Sequence, residues 1–342
     1  MKAIFVSGNQ EFSRAMEAAL RRNGVDPVYV HDSRAYIAPF FLRDNPRVVS
    51  AVRAFRFLKK MNNARFNKFL IAACEKHRPS FLITTKGAPI SPESLALLRA
   101  RGIITVLWFL DDIFDPAYAR WFSRIIPQYD FFFSYHSSNI RSVQGSVSAA
   151  AQYMPIGIDP AAYDGVITEE DRQKYSHEVI FVGSWYPERE RLLGRLTDFN
   201  LGIYGSSAWK QSSLGRFYRG RLTFREAAAA YRSSGICLNI HLADGASGVN
   251  TRAFEIPVSG GFMLTDMRGD LPALFEIGKE VAIFGNEYDL QKKIRFYLAH
   301  PEERAAITAR GRRRVLAEHT IDRRIRDIVM RIGQSKEGTS SL

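Results

Sequence analysis

Residues 236–266 read ICLNIHLADGASGVNTRAFEIPVSGGFMLTD. Ile236 to Ile240 is an apolar run of strand length, and residues 242–250 form a loop whose centre, Asp244-Gly245-Ala246-Ser247-Gly248, is made of small residues. Residues 251–259 carry apolar side chains at helical spacing. Gly260-Gly261 then punctuates the chain before a second apolar run, Phe262 to Thr265. Strand, loop, helix and strand within so few residues describe a βαβ unit, in which a crossover helix returns the chain to a parallel neighbour. Strands this uniformly apolar are covered on both faces.

The same alternation continues on either side. Further strands are expected at 178–183 and 201–204, and helices at 188–196, 223–233, 289–298 and 301–319. The first half repeats the scheme, with strands at 3–7, 27–31, 81–85, 103–110 and 130–135. Between them lie helices at 11–23, 91–101, 116–125 and 137–143 and a basic helical segment at 43–78. Residues 151–159 read as an extended crossing segment whose ends are fixed by Pro155 and Pro160. Residues 161–176 are polar and mixed, and 334–342 read as a disordered tail. The expected architecture is α/β: two Rossmann-like, doubly wound domains facing across a cleft. They span 1–155 and 156–333, with the last helix crossing back to the first. Ligands in such sheets sit beyond the carboxyl ends of the strands.

Composition agrees. The chain has 342 residues, 46% hydrophobic and 24% charged, which suits two globular domains at roughly 150 residues each. Cys74 and Cys237 are its only cysteines, too few for a disulfide-built scaffold or a multi-cysteine zinc cluster. MKAIFVSG at the start turns polar too early for a signal peptide, and no apolar run approaches the ~18 residues of a membrane span. The expected location is cytoplasmic, in a reducing compartment.

The net charge is +13, and residues 43–78 concentrate it. There Val48, Val52, Phe55, Leu58, Phe66, Phe69 and Leu70 follow helical spacing among many Lys and Arg. This is a basic amphipathic segment. Its polar face is either simply solvated or meets an anionic membrane or a phosphate-bearing acceptor, the latter placing the chain at the inner membrane face. Nucleic acid ranks last, because no recognition-helix, zinc-finger or aromatic RNA-binding pattern is present. The arginines between 304 and 331 alternate with acidic residues and read as a mixed, solvated helix surface.

Several residues fall where chemistry is expected. The loop containing Asp244 opens a helix whose first-turn amides suit an anion such as a diphosphate. Arg252 in that turn adds a planar fork for phosphate oxygens. Glu255, one turn on, suits a ribose diol; the alternative is a surface ion pair between Arg252 and Glu255. Gly183-Ser184 and Arg189 form a second loop of this kind. Tyr204-Gly205 and Gly220-Arg221 are candidate walls around a base. In the first half, Asp111 and Asp112 end a long buried strand, where either suits a general base or an acceptor ligand, or Asp112 caps the next helix. His136 ends the next strand, as base or as a structural histidine. Gly8-Asn9 and Lys86 follow two further strands, as candidates for an anionic acceptor.

Taken together, FVGSWYPERERLL (181–193), LNIHLADGASGVNTRAFE (238–255), LPALFEIG (271–278) and residues 297–320 resemble the nucleotide-sugar-binding domain of GT-B glycosyltransferases. The CgeB-like group, first named for spore maturation, is the most similar. The resemblance covers about 140 residues closely. The first half matches more loosely, through Trp108-Phe109-Leu110-Asp111-Asp112 and residues 131–135 and 154–159.

The resemblance implies a hexosyltransferase. Its donor is a nucleoside-diphosphate sugar, UDP favoured over GDP or dTDP, held by the second domain. A glycan, protein or lipid-linked acceptor is held by the first. On this reading Arg252 and Glu255 serve the diphosphate and ribose, with Gly183, Ser184, Arg189, His241 and Asn250 on the donor side. No metal or other cofactor is implied, since basic residues and helix dipoles stabilise the leaving group. Many retaining relatives carry two glutamates eight positions apart, and here the partner position of Glu255 is Ser247. Asp244 is a candidate substitute, and retention is weakly favoured. The competing functions are a nucleotide-sugar epimerase of the same fold and a non-catalytic nucleotide- or sugar-binding module.

Overall fold

A computed structural model of the chain describes residues 1–8, 10–32, 56–85, 89–111, 113, 124–144, 150–242 and 247–339. It divides into two compact units, Met1–Met154 together with Arg324–Leu342, and Pro155–Arg323.

The first unit is built on six parallel strands: β1 (Lys2–Ser7), β2 (Asp26–His31), β3 (Phe81–Thr84), β4 (Ile104–Phe109), β5 (Phe131–Ser134) and β6 (Ala150–Tyr153). Their spatial order is β2-β1-β3-β4-β5-β6. Helices α1 (Gln10–Arg22), α2 (Arg56–His77), α3 (Pro92–Ala100) and α4 (Ser137–Val143) connect them. The apolar runs make this possible. Ile4, Leu82, Leu107 and Phe132 on adjacent strands are all fully buried, each contributing about 1.5–3 kcal/mol by leaving water.

The second unit has β7 (Val179–Gly183), β8 (Leu201–Gly205), β9 (Ile236–Asn239), β10 (Met263–Asp266) and β11 (Ala282–Phe284). These pair in the order β11-β10-β9-β7-β8, again all parallel. Helices α5 (Glu169–Lys174), α6 (Pro187–Leu193), α7 (Phe224–Ser233), α8 (Arg252–Ser259) and α9 (Leu271–Leu274) are followed by α10 (Glu287–Ala299) and α11 (Pro301–Glu318), and the last helix, α12 (Ile321–Thr339), belongs from Arg324 onward to the first unit. Helix α7 starts on a reciprocal cap, in which the Thr223 hydroxyl accepts the Glu226 amide and the Glu226 carboxylate accepts the Thr223 amide.

Both sheets share one topology. Chain order reverses between β1 and β3 in the first and between β7 and β9 in the second. At such a switch point the flanking connections leave on opposite faces of the sheet, opening a crevice at the carboxyl ends.

Three sequence expectations change. Residues 150–153 are not merely a crossing segment but a sixth strand, paired with β5 from Phe131↔Ala150 to Ser134↔Tyr153. Strand β11, three residues long, was not expected. Helix α12 continues to Thr339, past the start of the expected disordered tail. The expected helix at 116–125 falls outside the described residues over 116–123, as does the basic segment before residue 56.

On α2 the amphipathic pattern is spent within the fold. Phe66, Leu70 and Cys74 are buried in the first unit's core, while Lys60, Arg65, Lys68 and Lys76 are exposed. The part of the apolar face formed by Phe66, Leu70 and Cys74 is therefore not offered to lipid. Among the described residues no helix is long and apolar enough to cross a membrane.

Candidate active site

A cavity of about 440 Å³ opens at the β7/β9 switch point of the second unit. Its size falls in the range of small-molecule sites, roughly 300–1,000 Å³. One wall is Val182, Gly183 and Ser184 from the end of β7, a second is Gly205, Ser206, Arg221 and Leu222, and the third is Thr251, Arg252 and Glu255 from the start of α8.

The first two walls approach through paired glycines. Gly205 has φ +121°, a region that L side chains rarely adopt, and a Cβ there would lie 2.4 Å from the Gly183 carbonyl oxygen. That oxygen is fixed by the Trp209 indole N–H at 2.9 Å. A Cβ on Gly183 would meet the Phe181 ring at 2.8 Å and Arg252 Nη1 at 2.9 Å. Small residues at 183 and 205 therefore let two backbones and a guanidinium converge on one space.

Arg252 is the first residue of α8, and its Nε donates to Asn239 Oδ1 at 3.3 Å. Holding the guanidinium by that edge leaves its terminal N–H groups for the cavity, above the Phe181 ring at 5.8 Å. Glu255 takes hydrogen bonds from the Thr251 and Tyr163 side chains. Burial raises its pKa above the usual carboxylate value, against the lowering effect of Arg252. Arg252 and Glu255 thus line a cavity rather than an open helix surface.

Arg189 is placed differently from its expected role. It is 4% exposed and lies outside the cavity lining. Its Nε and Nη2 donate to the Ile240 carbonyl at 3.1 and 2.7 Å, and Nη1 to that of Ser184 at 3.0 Å. It ties the loop after β7 to the end of β9. Burial first, then the neighbouring Arg252, lowers its pKa to about 10, so it keeps its charge at neutral pH. Arg189→Lys is expected to destabilise the second unit by about 2–3 kcal/mol, since an ammonium cannot bridge both carbonyls and one is left unpaired in the interior. Urea denaturation measures this directly; a midpoint equal to that of the unchanged protein would refute it.

Tyr204 is also corrected. It is 3% exposed with its hydroxyl 3.0 Å from His177 Nε2, so the wall falls to Gly205, Ser206, Arg221 and Leu222. His241 and Asn250 are joined to each other beside the cavity, where the Asn250 amide meets His241 Nε2 at 3.3 Å. Ser247 donates to Asp270 Oδ2 at 3.0 Å and is buried. Asp244 lies outside the described residues.

In the first unit the Asp111 carbonyl accepts from Asn139 Nδ2 at 3.2 Å, and the same nitrogen reaches Ser134 Oγ at 2.9 Å. His136 is 3% exposed, its backbone N–H on Ser134 Oγ and its ring 3.9 Å from that of Tyr135. Its burial leaves Asp111 the more accessible of the two. Gly8 follows β1 at that sheet's own switch point. Asn9, Lys86 and Asp112 lie outside the described residues. Among the described residues there is no group of three or more His, Cys, Asp or Glu arranged to hold a metal ion.

Residues missed at the sequence level are Asn239, which orients Arg252, Tyr163, which binds Glu255, and Asp266, which holds His241 at 2.7 Å. Asn239 and Asp266 end neighbouring strands, and that position is the available signal.

Comparison with known proteins bears on the fold. Residues 189–330 match the family described as glycosyl transferase-like. The chain is 21% identical to the spore protein CgeB of Bacillus subtilis, over 72% of its own length and 81% of that relative. Among solved structures, sucrose-phosphate synthase from Thermosynechococcus elongatus superposes with a TM-score of 0.71 at 13% identity, covering 100% of this chain and 99% of that one. Anabaena HepE in complex with UDP-glucose gives 0.65 at 12% identity, covering 100% of both. The fold is that of the GT-B glycosyltransferases, and the resemblance to the CgeB-like group extends well beyond the matched family segment.

Proposed function

We propose that the chain is a glycosyltransferase moving a sugar from a nucleoside-diphosphate sugar, UDP-linked by preference, onto a hydroxyl-bearing acceptor. The carrying observation is the cavity at the β7/β9 switch point, where Arg252 opens α8 beside the glycine pair and Glu255 lies one turn further in. A helix N-terminus with a guanidinium fork suits a diphosphate, and Glu255 suits the ribose hydroxyls. HepE, which shares the fold, is solved with UDP-glucose.

As the glycosidic bond breaks, negative charge grows on the departing diphosphate. The α8 amides and Arg252 stabilise it where it develops, and buried Arg189 adds a fixed positive potential behind the loop. These groups supply the charge that a metal ion would otherwise bring, and on that basis the transfer is proposed to be metal-independent. Asp111 is the proposed acceptor-side carboxylate, in a first unit that takes the acceptor. Retention is proposed on the resemblance alone.

A thermal-shift screen of UDP, GDP, ADP, dTDP and CMP and their common sugars tests the donor. A ligand at 100 times its Kd adds about 2.7 kcal/mol to the folded state. UDP and a UDP-sugar are expected to raise the melting temperature, and Arg252→Ala to remove the shift. No shift with any nucleotide would overturn the proposal, and a shift without transfer to any acceptor would favour a binding module.

A further inference from the structure

Asp266 ends β10, the neighbour of β9 in the sheet. Its Oδ1 accepts twice from His241, from ring Nδ1 at 2.7 Å and from the backbone N–H at 3.0 Å. The other ring nitrogen, Nε2, faces the Asn250 backbone N–H at 3.3 Å. A backbone N–H only donates, so Nε2 accepts and the proton sits on Nδ1, opposite the carboxylate. One neutral tautomer satisfies every partner.

The chain leaves the sheet at 241 and enters α8 just after 250, so one imidazole fastens both ends of the intervening loop. Asn250 is held again by its Nδ2 on Asn239 Oδ1 at 2.9 Å, the oxygen that also receives Arg252 Nε. His241, Asn250, Asn239 and Arg252 therefore form a continuous hydrogen-bonded series ending on the cavity.

We propose that His241 is a positioning residue of the donor site: by accepting the Asn250 amide it fixes the entry to α8 and, through Asn239, the direction of Arg252. This rests on the donor reading above and gives His241 no part in proton transfer with the substrate.

The proposal carries a pH dependence. The groups facing the ring are Asp266 on β10, Arg268 beyond it and Arg252 on α8, with Arg189 close to Asp266 from α6. Burial is the largest influence and lowers the ring's pKa below 6.5. Asp266 opposes this, and the two arginines facing the ring reinforce it. For Asp266, burial works against its charge, but the His241 bonds and Arg268 outweigh it and keep the carboxyl ionised. The ring is thus neutral at pH 7. As the pH falls below 6.5 and through the folded-state value, the imidazolium loses its acceptor and the Asn250 bond breaks. The stabilisation is complete above 6.5 and lost on the acid side.

The test is UDP binding by calorimetry from pH 8 to 5.5, with amide exchange at Asn250 followed by NMR, in the unchanged protein, His241→Gln and His241→Ala. Gln presents a non-titrating acceptor, and its profile also accounts for titration of the UDP phosphate. The unchanged protein is expected to lose more UDP affinity in acid than His241→Gln, by less than tenfold at pH 5.5 because the ring's pKa lies below 6.5, with Asn250 protection falling in step. His241→Ala should bind weakly and exchange quickly at every pH. Parallel profiles for the unchanged protein and His241→Gln, or tighter binding in acid, would overturn the proposal. UDP binding to none of the proteins would overturn the donor reading and this role with it. Asn250 exchange still reports whether the ring holds the loop.

Discussion

Arg252→Ala is expected to lower kcat/KM for transfer from a UDP-sugar by about 10²–10³-fold, the cost of losing one donor to a developing oxyanion, equivalent to about 2.7–4 kcal/mol. The geometry explains why the loss is concentrated in the chemistry. Among the described residues the guanidinium is hydrogen-bonded at one edge, to Asn239 Oδ1, and that oxygen keeps Asn250 as a donor after truncation. The fold should survive with a melting temperature changed by only a few degrees. Arg252→Lys should recover little, because an ammonium cannot hold Asn239 with one edge and offer a planar pair of N–H groups with the other. Steady-state kinetics with a melting curve on the same preparation decides the matter. Turnover within threefold of the unchanged enzyme would remove Arg252 from the site.

Gly205→Ala is expected to be the most destabilising single-methyl change at the site. The alanine must adopt φ +121° and place its Cβ 2.4 Å from the Gly183 carbonyl oxygen. Backbone strain of about 1–3 kcal/mol adds to overpacking of about 1–3 kcal/mol. The oxygen cannot retreat, because the Trp209 indole holds it. A loss near 4 kcal/mol corresponds to a melting temperature lower by roughly 10 °C. Gly220→Ala is the control: at φ +111° it bears similar strain, but nothing lies within 4 Å of its Cβ. Calorimetry should find Gly205→Ala the worse by at least the steric part. Equal losses would show that the close approach of the two backbones is unimportant.

The parallel sheets were readable because their strands are buried on both faces, giving unbroken apolar runs such as Ile4-Phe5-Val6 and Leu82-Ile83. Strand β6, AAQY, escaped because it is only partly covered and holds no β-branched residue. β11, AIF, is shorter than any window in which periodicity can register. At the site, Arg252, Glu255 and Gly183 were visible as local pattern: a helix opening, a one-turn spacing, a small residue after a strand. Arg189 was visible as a residue but not as a brace, because its partners Ile240 and Ser184 are chosen by how the chain returns in space. The His241–Asp266 pair likewise depends on β9 lying beside β10, a neighbour relation that only the sheet order provides.

The assignment of Arg324–Leu342 to the first unit bears on the order in which the molecule is made. Ile325, Ile328 and Ile332 on this segment are buried, and the first unit is not whole until residues beyond 323 are available. The second unit is continuous in sequence and lacks nothing once residue 323 has been added. At roughly 5–20 residues per second of translation, the β1–β6 sheet waits ~10–30 s for this segment while residues 155–323 are synthesised. Nascent chains that end near residue 154 are therefore the stage at which the first unit still lacks its closing segment.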